Sequence, residues 1–189
     1  MLISGFDNND VEQCIKNIQN QYGFEFPIQY KTFLLKYNGG KTPETSFRIN
    51  KISSDLKGFY GVAKADQFYN YNFHSNTIFF SECLKDGFVP IGNNTFGDFV
   101  LIGIGENNRE KIFFYYHDRP KLYIELTQNF IEFTEKCKSH KIGKVRSIEE
   151  RIEDMKAIGK ESKITSEKLK GWQDEINFYG NIKQTDLII

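Results

Sequence analysis

Apolar residues recur at helical spacing near the start of the chain. One stripe runs through residues 10–22 and consists of Val11, Cys14, Ile15, Ile18 and Tyr22. Such spacing places these side chains on one face of a helix. Asn9 followed by Glu12 has the spacing of a capping box, and Gly23 is placed to end the helix. The pattern therefore predicts a first amphipathic helix over residues 10–22.

The segment FPIQYKTFLLKYNGGKTP, residues 26–43, predicts a second helix that ends in a turn. Pro27 suits the first turn, because the N–H that proline lacks has no intrahelical partner there. The residues expected to share one face are Ile28, Phe33, Leu34 and Tyr37. Asn38 and Gly39 stand where a helix end needs a positive φ. Together with Gly40 they predict a C-cap and a turn rather than a ligand loop.

The middle of the chain reads as strands followed by a helix. Residues 45–52 alternate, and residues 88–116 predict a β-meander with strands FVPI, FVLIGIG and KIFFYYH between the polar turns GNNTFGD and ENNRE. Residues 127–138 return to a helical pattern whose inner side comprises Phe130, Ile131, Phe133, Thr134 and Cys137. Helices segregated from hairpin-linked strands predict an α+β fold.

Residues 59–80 form an aromatic run that predicts a loop-rich cover with short elements. Core packing is the favoured interpretation for Phe59, Phe68, Phe79 and Phe80. Exposed tyrosine, in contrast, suits an interface anchor, because it combines contact area with a polar tip. Candidate partner contacts are Tyr60, Tyr69 and Tyr71. Core packing is the alternative for these tyrosines as well.

The character of the chain changes after Lys138. The sequence SHKIGK predicts a linker, and Ser147 with Glu150 has a capping-box pattern. The narrow apolar stripe that follows consists of Val145, Ile148, Ile152 and Met155. A last helix, capped by Thr165 or Ser166, would carry Leu169, Trp172, Ile176 and Tyr179. We therefore expect a domain at 1–140 and a charged helical extension at 141–189 that packs on it.

Composition and charge narrow the classes of function. Hydrophobic residues make up 39% of the 189 and aromatic residues 15%, so the chain can bury a core. Basic and acidic residues are balanced at 25 each without a basic cluster, which argues against binding a nucleic-acid backbone directly. Neither a signal peptide nor an apolar run of about 20 residues is visible, so we expect a cytoplasmic protein without a membrane segment.

Candidate chemistry is sparse. The cysteines Cys14, Cys83 and Cys137 form no metal-ligand spacing with His74, His117 or His140. They are expected to be reduced and mostly buried thiols. The GNNTFGD turn lacks the Lys and the following helix of a phosphate loop, and Asp98 would repel phosphate. His117 and Asp118 have no accompanying nucleophile motif. We therefore expect no enzyme activity, metal or cofactor.

Three segments taken together resemble the SUKH superfamily of Smi/Knr-type proteins. They are FPIQYKTFLLKYNGGKTPE, VPIGNNTFGDFVLIGIGENNREKIFFYYHD and LTQNFIEFTEKC, which together span roughly residues 8–138. The motif positions that carry the resemblance are Pro27, Asn38, Gly39, Gly40, Gly92, Asn94 and Gly97. In one departure, Ile102-Gly103-Ile104 replaces the Leu-Asp pair that often follows the family's GD strand.

The resemblance implies a bent, mixed or antiparallel sheet with helices packed outside it. It also implies that the protein acts by binding another protein. Bacterial members are typically immunity proteins that neutralise a toxin domain, often a nuclease, and fungal members are regulators of cell-wall synthesis. The short chain is more similar to the bacterial type, and a regulatory scaffold is the alternative.

A toxin with a basic cleft would be met by acidic side chains that imitate phosphate. The candidates are Asp66, Glu82, Asp98 and Asp118. For Asp98 a second interpretation stands beside this one, in which its carboxylate accepts backbone N–H groups within the turn. Neither the identity of the toxin nor the oligomeric state follows from these residues.

Overall fold

The computed structural model describes residues 1–71 and 77–189. The α-helices in these ranges are α1 (Val11–Tyr22), α2 (Ile28–Tyr37), α3 (Ile78–Lys85), α4 (Phe130–Lys136), α5 (Ile148–Ala157) and α6 (Ser166–Gly180). The strands are β1 (Leu2–Ile3), β2 (Gly40–Ile49), β3 (Ile52–Phe59), β4 (Phe88–Asn93), β5 (Phe99–Gly103), β6 (Ile112–Tyr115), β7 (Tyr123–Thr127), β8 (Cys137–Ser139) and β9 (Thr185–Asp186). Short 3-10 turns lie at Gln67–Tyr69 and Glu161–Lys163. The expectation for His74 lies outside the described residues.

A seven-stranded antiparallel sheet forms the centre of the fold, in the order β7-β6-β5-β4-β3-β2-β8. The sheet is curled. Phe47 on β2 contacts Phe114 on β6, with 6.1 Å between ring centroids, although a flat sheet would separate these strands by roughly 19 Å. The predicted α+β fold with a bent sheet is confirmed, and all strand pairs in this sheet are antiparallel.

The first helix follows the predicted stripe, but its beginning does not follow the predicted cap. Val11, Ile15 and Ile18 are buried, and Gly23 ends α1 with a φ of 69°. Asn9 donates to the Asp7 carboxylate instead of capping the helix. The capping-box prediction there was wrong, because the helix begins one residue later than that cap requires, with Asp10 in the N-cap position at a φ of 64°.

The second helix buries a different set of side chains from the predicted one. Tyr30, Phe33 and Leu34 are buried, whereas Ile28 is 65% exposed at the first turn of α2. The predicted helix end is confirmed, since Asn38 has a φ of 54° and donates its backbone N–H to the Leu34 carbonyl at 2.8 Å. Pro27 immediately precedes the helix.

Both faces of the meander are buried, which explains its continuous apolar runs. One face joins the main aromatic core, through Val100, Ile102 and Phe114. The other face packs beneath α3 in a second cluster that contains Cys83, Phe88, Leu101, Phe113 and Tyr115. A strand that is covered on both faces loses the alternation of polar and apolar residues. The predicted meander is confirmed and continues into β7, which the sequence pattern did not predict.

Residues beyond β8 form a helical hairpin that returns to the start of the chain. The predicted capping box of Ser147 and Glu150 is confirmed, and Thr165 caps α6. Neither helix buries a side chain fully. Strand β9 pairs antiparallel with β1. At the base of the hairpin, Ile142 donates to the Gln184 side chain at 2.6 Å and accepts from it at 2.9 Å. The predicted boundary at residue 140 stays a prediction.

Buried tyrosines lead to a prediction about alkaline pH. The Tyr30 hydroxyl donates to the Tyr60 carbonyl at 2.9 Å, and the Tyr71 hydroxyl donates to the Pro90 carbonyl at 2.5 Å. Burial raises the pKa of Tyr30, Tyr60 and Tyr71 above the ordinary value. Above about pH 10 the unfolded chain therefore releases protons that the folded chain retains.

We expect the contribution of these tyrosines to stability to be constant below about pH 10 and to fall above it, by up to about 1.4 kcal/mol per pH unit for each tyrosine. Urea unfolding at stepped alkaline pH measures the fall, and the ultraviolet absorbance of tyrosinate follows ionisation. Titration of all tyrosines near their ordinary pKa while the fold persists would contradict this burial.

Candidate functional site

The turn between β4 and β5 is held by the side chain of Asn94. Its Oδ1 accepts the backbone N–H of Phe96 at 2.9 Å and that of Asp98 at 2.8 Å. Its Nδ2 donates to Asp98 Oδ2 at 2.9 Å and to Ser54 Oγ at 3.0 Å. Gly97 has a φ of 88°, which a residue with a side chain rarely adopts. Asn94 and Gly97 therefore shape this turn, as expected for structural motif positions.

Asp98 links this turn to the loop that follows β6. Its Oδ1 accepts the backbone N–H of His117 at 3.1 Å and lies 2.8 Å from His117 Nδ1. Desolvation is the largest single influence and acts to raise the pKa of the buried Asp98 carboxyl, but the hydrogen bonds from His117 and Asn94 together outweigh it and hold this pKa below its ordinary value. Asp98 was expected to accept backbone N–H groups within its own turn, but Asn94 accepts them instead. The backbone N–H that Asp98 accepts is that of His117, at the other end of the β5–β6 hairpin.

Exposed side chains of the β4–β5 turn and of the loop after β6 lie around Asn94 and Asp98. Phe96 is 74% exposed at the tip of the turn. Thr95 donates its backbone N–H and its hydroxyl to Asp55 Oδ2, at 3.1 and 2.5 Å. The side chains of His117 and Asp118 are 55% and 64% exposed. We call Thr95, Phe96, His117, Asp118 and Arg119 the turn surface.

Among the predicted acidic residues, only Asp118 presents its carboxylate at the turn surface. Asp98 is buried and bonded beneath it. Asp66 caps the 3-10 turn Gln67–Tyr69 and pairs with Lys41 at 2.7 Å. Glu82 is exposed on α3. The structure therefore joins Asp98 and Asp118 through the β6–β7 loop and leaves Asp66 and Glu82 on other elements.

The three tyrosines expected to contact a partner lie in the core. Tyr60 is 1% exposed, Tyr71 is 0% exposed and Tyr69 is 8% exposed. Tyr71 packs edge-on against Phe26 and Tyr60. Side chains at this depth are not available as surface anchors, so we correct that expectation in favour of the core alternative. The prediction erred because the buried phenol of Tyr71 is accommodated by a backbone carbonyl.

The remaining motif positions serve close packing. A Cβ on Gly39, where φ is 76°, would lie 2.6 Å from the Tyr60 carbonyl oxygen. A Cβ on Gly92 would lie 2.5 Å from the Gly58 carbonyl oxygen, where β4 pairs with β3. Gly40 begins β2 directly after this corner. These glycines allow backbone segments to approach one another, and none of them forms part of the turn surface.

Within the described residues, no cluster of three or more His, Cys, Asp or Glu side chains could hold a metal ion. Cys83 and Cys137 are buried, and burial raises the pKa of each thiol to about 12. An open groove of about 650 Å³ lies between the end of α1 and the β5–β6 turn, where Phe24, Glu25 and Arg109 line it. None of the predicted site residues lines this groove.

No helix in residues 1–71 and 77–189 is long and apolar enough to cross a membrane.

The fold and the β4–β5 turn together define a class of protein. It is an α+β domain whose curled antiparallel sheet carries a hydrogen-bonded Asn-x-x-Gly-Asp turn. The family model described as the SMI1 / KNR4 family (SUKH-1) matches residues 12–136. The match covers more than half of the chain, so the chain belongs to this family. A comparison with curated proteins and one with solved structures each gave no match. The resemblance seen in the motifs is therefore confirmed.

Replacing Asp98 with asparagine is expected to destabilise the fold by about 1–3 kcal/mol, because a buried charged acceptor of several hydrogen bonds is lost. A carboxyl with a lowered folded pKa stabilises the fold above its unfolded pKa of about 3.9, and this contribution is lost as pH falls through the folded pKa. Urea unfolding of D98N and wild type should therefore differ near neutral pH and converge in acid. A constant difference down to low pH would contradict the role given to the charge.

Proposed function

We propose that this chain is an immunity protein that binds a cognate toxin domain in a one-to-one complex and blocks the toxin's active site. Its membership of the SMI1 / KNR4 (SUKH-1) family is the observation that carries the proposal. In this proposal the protein acts in the cytoplasm by binding alone, without catalysis, cofactor or direct contact with nucleic acid.

The turn surface supports a role in protein binding. It combines one exposed aromatic ring with charged side chains on its margin, an arrangement typical of interfaces with an apolar centre and a polar rim. The hydrogen bonds of Asn94 and Asp98 hold the backbone beneath it. Specific interfaces bury roughly 1,200–2,000 Å² in total, so the turn surface would be one part of a larger contact.

A nuclease toxin is the finer form of the proposal. A basic nucleic-acid cleft would attract exposed carboxylates. Asp118 and Glu82 are the exposed members of the predicted acidic set, whereas Asp66 and Asp98 already have partners within the chain. The acidic contribution in this form therefore comes from Asp118 and Glu82.

Co-expression with the toxin domain encoded by a neighbouring gene tests the proposal. Cells that express the toxin domain should survive only when this chain is present, and the purified pair should bind with one-to-one stoichiometry in calorimetry. The regulatory scaffold is the alternative function within the same family. Absence of a neighbouring toxin gene, together with failure to rescue cells from any neighbouring domain, would overturn the immunity proposal and favour the scaffold.

A further inference from the structure

The backbone around the exposed ring of Phe96 is held by several side-chain hydrogen bonds. Phe68, which was expected in the core, is also 72% exposed, and its N–H likewise donates to a side chain, Asp66 Oδ1, at 3.1 Å. Ile28 and Phe178 are also exposed, and scattered apolar side chains on a surface need no explanation. The turn around Phe96, however, has its backbone N–H groups at Thr95, Phe96 and Asp98 bound by side chains. A ring on such a turn is presented in one backbone conformation.

This presentation lowers the cost of binding. Association normally loses free energy when loops and side chains become ordered at the interface. The β4–β5 turn is ordered beforehand by Asn94 from within and by Asp55 from the neighbouring strand β3. A phenyl ring itself has few rotatable bonds and buries a large apolar area. Both properties are those of an interface anchor.

One charge on the β6–β7 loop indicates the chemistry of the surface that would receive Phe96, because Asp118 follows His117, which bonds to Asp98 at the base of the turn. Asp118 approaches Arg119 only to 4.0 Å, while the Arg119 guanidinium lies 4.9 Å from the centre of the Tyr116 ring. Asp118 is therefore held weakly within the chain and remains 64% exposed. A cation on the partner would complement this carboxylate when the partner contacts the turn surface.

We propose that Phe96 is the anchor of the partner interface and inserts into an apolar pocket of the toxin domain, with a basic side chain at the pocket's rim facing Asp118. This inference rests on the proposed function, and it names the part of the chain that makes the central contact. The apolar ring supplies the contact that persists in the complex, and the rim charge steers association.

The test measures binding kinetics of the neighbouring toxin domain to wild type and to four single variants. F96A should weaken affinity about 30-fold or more, mainly through faster dissociation. D118N should slow association, with an effect that shrinks at high salt. D55A keeps the ring but releases the turn, and it should weaken affinity about 3- to 10-fold.

F178A is the matched control, because it removes another exposed ring, 57% exposed against 74% for Phe96, from α6. It should leave affinity within about 2-fold of wild type, and thermal melting should confirm that all four variants fold. Binding by wild type that F96A leaves unchanged, or that F178A weakens as much, would overturn the inference and leave the proposed function standing. Failure of wild type to bind the domain would overturn both.

Discussion

Replacing Asn38 with alanine is expected to destabilise the protein by about 3–5 kcal/mol. Asn38 is fully buried, and its Nδ2 donates to the Asp7 carbonyl at 2.6 Å and to the Val62 carbonyl at 2.8 Å. Its Oδ1 accepts the Val62 N–H at 2.7 Å. Alanine would leave the buried Val62 N–H without this acceptor, which costs about 1–3 kcal/mol. It would also remove one donor from the Asp7 carbonyl and one from the Val62 carbonyl, which still accepts the Ala65 N–H at 2.9 Å.

Two further variants separate the hydrogen bonds from the backbone conformation. Asn38 has a φ of 54°, which costs alanine roughly 1 kcal/mol more than glycine. N38G should therefore be about 1 kcal/mol more stable than N38A, although it also loses the side-chain bonds. N38D should be no better than N38A, because a carboxylate can accept from Val62 but cannot donate to either carbonyl.

Urea unfolding of the three variants measures these free energies, with circular dichroism to check that each still folds. N38A within 1 kcal/mol of wild type would mean that water or backbone movement replaces the three bonds, contrary to the prediction.

Replacing Phe130 with alanine is expected to cost about 3–5 kcal/mol, through the lost apolar contact and the cavity that remains. Phe130 is fully buried at the centre of the aromatic core. Its ring centroid lies 5.1 Å from those of Tyr30 and Phe33 and 5.2 Å from that of Phe59. The side chain therefore joins α2, β3 and α4, and its removal should be felt by all three elements.

F130L and F178A serve as controls for this second prediction. Leucine keeps most of the apolar volume, so F130L should cost less than about 1.5 kcal/mol. F178A removes an exposed ring and should change the free energy of unfolding by no more than about 0.5 kcal/mol. If F130A and F178A lowered the free energy of unfolding equally, burial would not be the reason that Phe130 stabilises the fold.

Local signals in the sequence were sufficient for much of the fold. The stripe in α1, the turn after α2 and the meander each depend on residues close to one another in the chain, and each is confirmed. Strand β7 was missed because it is short, lies at the sheet edge and is half-buried, so YIELT lacks a clear period.

The candidate site depends on contacts that no local pattern displays. The tyrosines were candidate partner contacts because tyrosine combines contact area with a polar tip, and core packing was the alternative. The local sequence does not show that the Tyr71 hydroxyl bonds to a carbonyl 19 residues away. Asp98 likewise bonds to His117, 19 residues further along. One local signal was present but was not used: Phe96 is an apolar residue at the centre of the polar turn GNNTFGD.

The paired stems of the helical hairpin have a consequence for the architecture of the chain. Because Ile142 and Gln184 are joined by two hydrogen bonds, the segment between them leaves and re-enters the main body at a single point. A short linker could therefore bridge the stems, and β9 would still reach β1. The hairpin could therefore be replaced by another helical module that begins and ends at this pair of residues. The strands of the curled sheet lie outside the replaced segment.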